Sequence, residues 1–210
     1  ANHRRTHWSR LITEAIEQDE IALYTQAAIN IKTGAPIHHE IFLRIRDEQG
    51  AWADPQQFMG TAESLGFAPA LDQRVIARVL THIHEQGNNS TLRYAVNVSA
   101  TSISDANWVR ELSEIIRTSD VPGNRLIFEI SEKAAMENID ATASFIEQMR
   151  ALGARAALDD FGTGFSSFYY LKRFNVDYLK ISGAFTQDLS DNEESRVFVK
   201  AVNGLARDLK

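Results

Sequence analysis

Residues 156–167 read A-A-L-D-D-F-G-T-G-F-S-S, a short apolar strand followed by two adjacent acids and a glycine-bracketed loop that opens a helix. Acidic residues at the carboxyl end of a strand point into the crevice where α/β folds bind their ligands. The carboxylates of Asp159 and Asp160 repel each other unless a cation or a shared proton offsets the repulsion. An Asp-Asp helix cap explains this stretch alone about equally well, so the neighbouring segments have to decide.

The second half of the chain alternates between short apolar runs and segments with helical spacing. The predicted strands cover residues 94–98, 126–130, 156–158 and 176–181, and the predicted helices cover residues 105–117, 140–152, 166–173 and 193–209. Strands that alternate with helices imply parallel βαβ units, and therefore either a (β/α) barrel or a doubly wound sheet.

The first half of the chain is predicted to begin in a different way. A helix over residues 8–18 precedes two strands, at residues 21–29 and 37–45, which can pair as an antiparallel hairpin. Two further helices are predicted over residues 55–65 and 71–84. With about six strands in all, the predicted fold class is α/β.

The composition limits the classes of function. A chain of 210 residues with 44% hydrophobic content can bury one sizeable core, so one domain is expected. A net charge of −6 argues against a nucleic-acid polymer as partner, and the absence of cysteine excludes disulfides and thiolate chemistry. No apolar run approaches the roughly 18 residues of a spanning helix. We therefore expect a cytoplasmic domain that does not itself insert into a membrane, although the full-length protein could be membrane-anchored.

Polar side chains lie within or at the end of five predicted strands. Four of them, Glu40, Asn97, Glu129 and Asp159, offer oxygen ligands, and the fifth is Lys180. One polar residue in a buried strand is ordinarily hydrogen-bonded core, but five are harder to explain because each buried charge costs several kcal/mol unless it is paired. Parallel strands bring their carboxyl ends together at one rim. An all-oxygen set there suits Mg²⁺ or Mn²⁺ rather than zinc.

These residues lie in motifs that resemble those of the EAL domain, the cyclic-di-GMP phosphodiesterase family. The resemblance runs from about Trp8 to the last residue. The matching segments are residues 40–44 (E-I-F-L-R, family E-A-L-x-R), 97–100 (N-V-S-A), 129–132 (E-I-S-E, family E-x-T-E), 159–167 (D-D-F-G-T-G-F-S-S), 170–172 (Y-L-K) and 176–181 (V-D-Y-L-K-I).

The resemblance implies a TIM-like barrel with an antiparallel first strand, and hydrolysis of cyclic di-GMP to linear pGpG. It implies Mg²⁺ or Mn²⁺ as cofactor, since two metal ions can activate water and stabilise both the attacking and the leaving oxygen. Lys180 would orient the attacking water, and Glu132 would brace the loop over residues 159–164. The metal ligands would be Glu40, Asn97, Glu129, Asp159 and Asp160, and the ligand contacts would be Gln26, Arg44 (to phosphate), Asp159 and Ser182.

The chain departs from the family pattern in three places. Ile41 and Phe42 replace the Ala and Leu of E-A-L, and as apolar strand residues they are expected to tune packing. The family's K-I-D reads Lys180-Ile181-Ser182, so a neutral hydroxyl replaces an acid. The family's A-E-G-V-E segment and last two strands would lie beyond the last residue. We therefore expect residues 1–210 to be a single EAL-like domain truncated at its C-terminus, one module of a larger signalling protein.

Two functions from different classes remain open. Retention of six site residues favours a metal-dependent phosphodiesterase. Ser182 favours a catalytically impaired receptor that binds cyclic di-GMP and signals to a protein partner. A structural module that binds nothing is the third reading. In the family, the helix after the Lys180 strand tends to lie at a dimer face, which allows for a homodimer.

Overall fold

The computed structural model describes residues 2–87, 90–164 and 168–208. Within these ranges the central element is a sheet of seven strands. The strands are β1 (Ile21–Ile29), β2 (Pro36–Arg46), β3 (Trp52–Ala53), β4 (Tyr94–Asn97), β5 (Leu126–Ser131), β6 (Arg155–Phe161) and β7 (Tyr178–Ile181).

The sheet is mostly parallel. Its order is β1-β2-β4-β5-β6-β7, with the short β3 paired to β2. β1 and β3 run antiparallel to β2, whereas β2, β4, β5, β6 and β7 run parallel to one another. This is the α/β architecture of a TIM-like barrel with an antiparallel first strand, as predicted.

Helices connect the parallel strands. In the described ranges they are α1 (Asn2–Glu17), α2 (Pro55–Ser64), α3 (Ala68–Gln86), α4 (Ala100–Ser104), α5 (Ala106–Thr118), α6 (Glu132–Glu137), α7 (Ile139–Ala151), α8 (Phe168–Phe174), α9 (Gly183–Thr186) and α10 (Glu193–Asp208). Side-chain caps define several helix starts. Asp54 precedes α2 and accepts a hydrogen bond from the backbone N–H of Gln56, and Asp105 caps α5 in the same way through two N–H groups.

The two faces of the sheet pack differently. One face carries large apolar side chains such as Phe128 and Leu158, which pack against the helices in the main core. The opposite face, here called the inner face, carries the buried residues Ala95, Ile127 and Ala157, with Tyr178 packed against them. Side chains alternate along a strand, so residues two positions further along these strands continue the inner face.

A bulge interrupts the pairing of β6 with β7. Leu158 pairs with Leu179 and Phe161 with Ile181, so three steps along β6 match two along β7. Asp160, the extra residue, has a φ of 54°, in the left-handed region that Asp adopts more readily than most residues. Phe161 therefore returns to the same core as Leu158 instead of pointing to the inner face.

Most predicted elements agree with the structure. β6 runs on to Phe161 instead of ending at residue 158, and β7 begins at Tyr178 instead of residue 176. The first difference follows from the bulge, because Phe161 resumes the pairing beyond it. Residues 166 and 167, predicted to begin a helix, lie outside the described residues, and α8 is described from Phe168. None of the helices described here is both long enough and apolar enough to cross a membrane.

Candidate functional site

The predicted site residues lie on the inner face at the carboxyl ends of the strands. Glu129 and Asp159 each follow an inner-face residue by two positions, and Lys180 follows Tyr178 in the same way. The register of β4 and β5 sets Asn97 directly beside Glu129. On β2, Glu40 is paired with Ala95, which also belongs to the inner face.

Three carboxylates converge on the ammonium group of Lys180. Lys180 Nζ lies 2.5 Å from Glu129 Oε2, 2.9 Å from Glu40 Oε2 and 3.3 Å from Asp159 Oδ1. One oxygen from each of the three acids lies within 4.8 Å of the other two. We call Glu40, Glu129 and Asp159 the carboxylate cluster.

Burial and charge shift the pKa values of two of these groups. Burial raises the pKa of Glu129 above its ordinary value, with Lys180 opposing the rise and Glu40 adding to it. Burial also acts to lower the pKa of Lys180, but contacts with Glu129, Glu40 and Asp159 outweigh it and raise that pKa above its ordinary value. Lys180 therefore remains an ammonium ion at neutral pH.

The carboxylate cluster fits a divalent cation by its donor chemistry. Its ligands are all oxygens, as Mg²⁺ and Mn²⁺ prefer. Glu129 is 1% exposed, and its Oε1 atom has no hydrogen-bond partner among the described residues. A buried carboxylate oxygen without a partner is costly, so this atom is available to a cation.

Asn97 and Gln26 flank the cluster beside Glu40. Asn97 Nδ2 donates to Glu40 Oε1 at 3.4 Å. Gln26 lies opposite Glu40 in the antiparallel pairing of β1 with β2. The structure thus brings Asn97 to the cluster, and its role as a metal ligand stays a prediction, as does the contact of Gln26 with the ligand.

Arg44 lies four residues beyond Glu40 on β2, with its guanidinium held among three partners. It donates to the backbone oxygen of Leu43 at 2.9 Å and lies 3.2 Å from Asp54 Oδ2. The guanidinium carbon also lies 5.0 Å from the ring centroid of Tyr24. Sequence reasoning missed Asp54 and Tyr24 as supports for Arg44, because both contacts depend on β1 and the start of α2 folding beside β2.

Glu132 joins the end of β5 to the loop after β6. Its Oε2 atom accepts hydrogen bonds from the backbone N–H groups of Gly162 at 3.0 Å and Gly164 at 2.8 Å. Gly162 has a φ of 103°, and a Cβ there would lie 2.4 Å from a ring atom of Phe198, so glycine is required at this position. The remaining residues of the motif, 165–167, lie outside the described residues.

Asp160 lies outside the carboxylate cluster, and Ser182 serves as a helix cap. Asp160 is the exposed bulge residue, and the group of three acids close enough to share an ion does not include it. Asp159, by contrast, faces Lys180, so its side chain belongs to the site and not to a helix cap. Ser182 follows the last residue of β7 and caps α9, accepting from the backbone N–H of Ala184 at 3.5 Å. Because β7 ends at Ile181, strand alternation alone does not place Ser182 on the same face as Lys180.

A buried acid behind β4 was missed by sequence reasoning. Asp72 Oδ2 accepts hydrogen bonds from the backbone N–H of Ser99 and from the hydroxyls of Ser99 and Ser102, at 2.6–2.9 Å. Burial raises its pKa to about 6. These bonds hold the turn that follows Asn97, and the signal available was an acid within the apolar stripe of α3.

Comparison with known proteins identifies the family. The family model of the EAL domain matches residues 9–210. The cyclic di-GMP phosphodiesterase PdeF of Escherichia coli K12 is 30% identical over 197 residues, which cover 93% of this chain and 26% of PdeF.

Solved structures give the same result for the fold. Vibrio cholerae LapD bound to c-di-GMP is similar with a TM-score of 0.87 and 28% identity, over 98% of this chain and 49% of that chain. The c-di-GMP complex of the PaMucR phosphodiesterase of Pseudomonas aeruginosa has a TM-score of 0.83 and 29% identity, over 96% of this chain and 83% of that chain.

The chain spans about a quarter of the length of the curated relatives it matches. The family model nevertheless covers nearly all of its residues, and the fold agrees over the same extent. With the carboxylate cluster and the motifs around it in place, the chain belongs to the EAL domain family.

Proposed function

We propose that this domain hydrolyses one phosphodiester bond of cyclic di-GMP, with a divalent cation, to give linear pGpG. The convergence of Glu40, Glu129 and Asp159 on one point of the inner face supports this most directly. The named phosphodiesterase relatives and the ligand-bound family structures support the substrate class.

The reaction requires a water molecule to displace a ribose oxygen from phosphorus. A bond forms between the water oxygen and phosphorus, the bond from phosphorus to the leaving 3′ oxygen breaks, and that oxygen takes up a proton. Bound Mg²⁺ or Mn²⁺ would supply Lewis-acid stabilisation of the oxygens that gain charge. Glu40, Asn97, Glu129 and Asp159 would hold the first ion, and Asp160 would help to hold a second.

The protein groups supply positioning and charge. Lys180 contacts the three acids of the cluster, and we assign it to orienting the water as a hydrogen-bond donor. Arg44 is charged and held by Asp54, and we assign it to a phosphate of the ligand. Gln26, opposite Glu40, would make a further contact with the ligand. Glu132 holds the backbone of the loop after Asp159.

The test is to measure binding and turnover of cyclic di-GMP under different cations. With Mn²⁺ or Mg²⁺ we expect pGpG to accumulate in a chromatographic assay, and with Ca²⁺ we expect binding without turnover. Turnover that persists after exhaustive chelation would contradict a metal-dependent mechanism. Absence of binding under every cation would contradict both the phosphodiesterase and the receptor.

A non-hydrolytic receptor is the second candidate, and Ser182 is the observation that favours it. At this position the family motif has an acid, and a serine at the start of α9 adds no negative charge beside Lys180. Asp caps a helix as well as Ser does, so Ser182→Asp should preserve the fold. We expect it to raise pGpG release with Mn²⁺ about tenfold, which corresponds to about 1.4 kcal/mol of transition-state stabilisation.

The outcome for Ser182→Asp separates the two candidates. If the parent turns over briskly and the variant adds nothing, the serine is a tolerated substitution and the enzyme stands. If both proteins bind the dinucleotide and neither releases pGpG, the domain is a receptor.

We also propose that the domain works as one module of a larger cytoplasmic signalling protein. The greater length of its curated relatives supports the modular arrangement. A homodimer, or a protein partner for the receptor form, remains a prediction that light scattering of the purified protein would test.

A further inference from the structure

The ammonium group of Lys180 occupies the centre of the carboxylate cluster. Lys180 Nζ lies between 2.5 and 3.3 Å from one oxygen of each of the three acids. These are the same three side chains whose oxygens are close enough to share one ion. Lys180 therefore stands where a bound cation would stand.

We propose that Lys180 is the internal counter-ion of the metal-free site and competes with the divalent cation for Glu40, Glu129 and Asp159. This inference rests on the proposed metal-dependent function. It goes beyond that function because it assigns Lys180 a role in metal affinity, separate from any role in orienting water.

Geometry makes the two occupants mutually exclusive at this point. Mg²⁺ binds carboxylate oxygens at about 2.0–2.1 Å, and Ca²⁺ binds them at about 2.3–2.6 Å. An ion held at those distances by the three oxygens that now contact Lys180 would lie almost on top of the present position of Lys180 Nζ, with like charges in contact. Lys180 must withdraw before the three acids can close around an ion.

The surroundings allow Lys180 to withdraw but hold Glu129 in place. The Glu129 side chain is fully buried, whereas the Lys180 side chain is 27% exposed at the open side of the cluster. Lysine has a flexible, unbranched stem, so it can move its charge toward water while its Cα stays in β7. Glu129 thus forms the fixed part of the site, and the ammonium group is its movable part.

Removing the charge of Lys180 tests whether its ammonium group competes with the divalent cation. Lys180→Met keeps an unbranched side chain and removes the charge. We expect it to bind Mn²⁺ at least tenfold more tightly than the parent by isothermal titration calorimetry, and to be less stable than the parent without metal. Lys200→Met, on an exposed position of α10, is the control and should leave the affinity unchanged.

A second measurement uses the parent protein and does not depend on the folding of a variant. The ¹⁵Nζ resonance of the Lys180 ammonium should be visible by NMR without metal, because hydrogen bonds to three carboxylates slow its proton exchange. Saturating Mg²⁺ should shift this signal or broaden it beyond detection. A signal that stays unchanged while Mg²⁺ binds would overturn the proposal.

The remaining outcomes are distinguishable from failure of the proposed function. If the parent binds Mn²⁺ and a folded Lys180→Met variant binds it equally or more weakly, the proposed competition is wrong but the metal-dependent function stands. If neither protein binds Mn²⁺ or Mg²⁺, the metal-dependent function and the competition both fail.

Discussion

At the scale of single residues, burial decides what each polar group of the site can do. Glu129 is almost fully enclosed, and one of its oxygens has no hydrogen-bond partner among the described residues. Burying this acid without a further partner therefore costs free energy. The residue types alone predicted oxygen ligands at this rim. They could not predict that Lys180 contacts three acids at once, because that contact depends on the register of strands far apart in sequence.

Arg44 provides a test of ligand binding that is independent of hydrolysis. Charge-assisted hydrogen bonds to phosphate contribute roughly 1.5–3 kcal/mol. We therefore expect Arg44→Ala to weaken cyclic-di-GMP binding at least tenfold, even with Ca²⁺ in place of Mn²⁺. Calorimetry measures the change, and Arg117→Ala, on the exposed side of α5, is the matched control. Equal affinity in parent and Arg44→Ala would show that Arg44 does not hold the phosphate.

Asp72 should make stability depend on pH in the direction opposite to that of an ordinary acid. Its pKa is about 6 in the folded protein, above the unfolded value, so between about pH 4 and 6 the folded state binds more protons. The free energy of unfolding should therefore fall as pH rises through this range, by up to about 3 kcal/mol.

The Asp72→Asn variant isolates this contribution. The amide oxygen can still accept from Ser99, but the side chain no longer titrates. Urea denaturation at several pH values should show the free energy of unfolding of Asp72→Asn rising relative to that of the parent from pH 4 to 7. A difference between the two proteins that does not change with pH would contradict the raised pKa.

At the scale of elements, the bulge in β6 was the main feature that sequence patterns could not supply. Apolar alternation predicted the β1–β2 hairpin and the strands β4 and β5 nearly in full. It ended β6 too early because Asp159 and Asp160 interrupt the apolar run before Phe161 resumes it. Helices of one turn or little more, such as α4 and α9, escaped prediction because so few residues show no periodicity.

The left-handed backbone at Asp160 leads to a prediction on stability. Ala in this conformation costs roughly 1 kcal/mol or more, whereas Asn and Gly adopt it with little strain. Asp160→Ala should therefore unfold at lower denaturant concentration than Asp160→Asn or Asp160→Gly. The Asn variant also removes the carboxylate without disturbing the bulge, so it is the proper variant for testing a second metal ion. Equal stability of the Ala and Asn variants would argue against the bulge.

At the scale of the whole molecule, the parallel sheet converts motifs scattered over the chain into one site. Glu40 and Lys180 are 140 residues apart in sequence, yet their side chains lie 2.9 Å apart across the inner face. The sequence predicted this gathering because parallel strands end at a common rim. The sequence could not predict the hydrogen bonds between Asp72 and the turn after β4, since these depend on helix packing.

The most direct test of the central claim compares Glu129→Gln with the parent in Mn²⁺ binding and pGpG release. The neutral amide has nearly the same shape and suits a buried position, so the fold should persist. We predict at least tenfold weaker Mn²⁺ binding and loss of most pGpG release, while Glu147→Gln, at an exposed position of α7, behaves like the parent. A folded Glu129→Gln variant that binds Mn²⁺ and releases pGpG as the parent does would contradict the claim that the carboxylate cluster is the metal site.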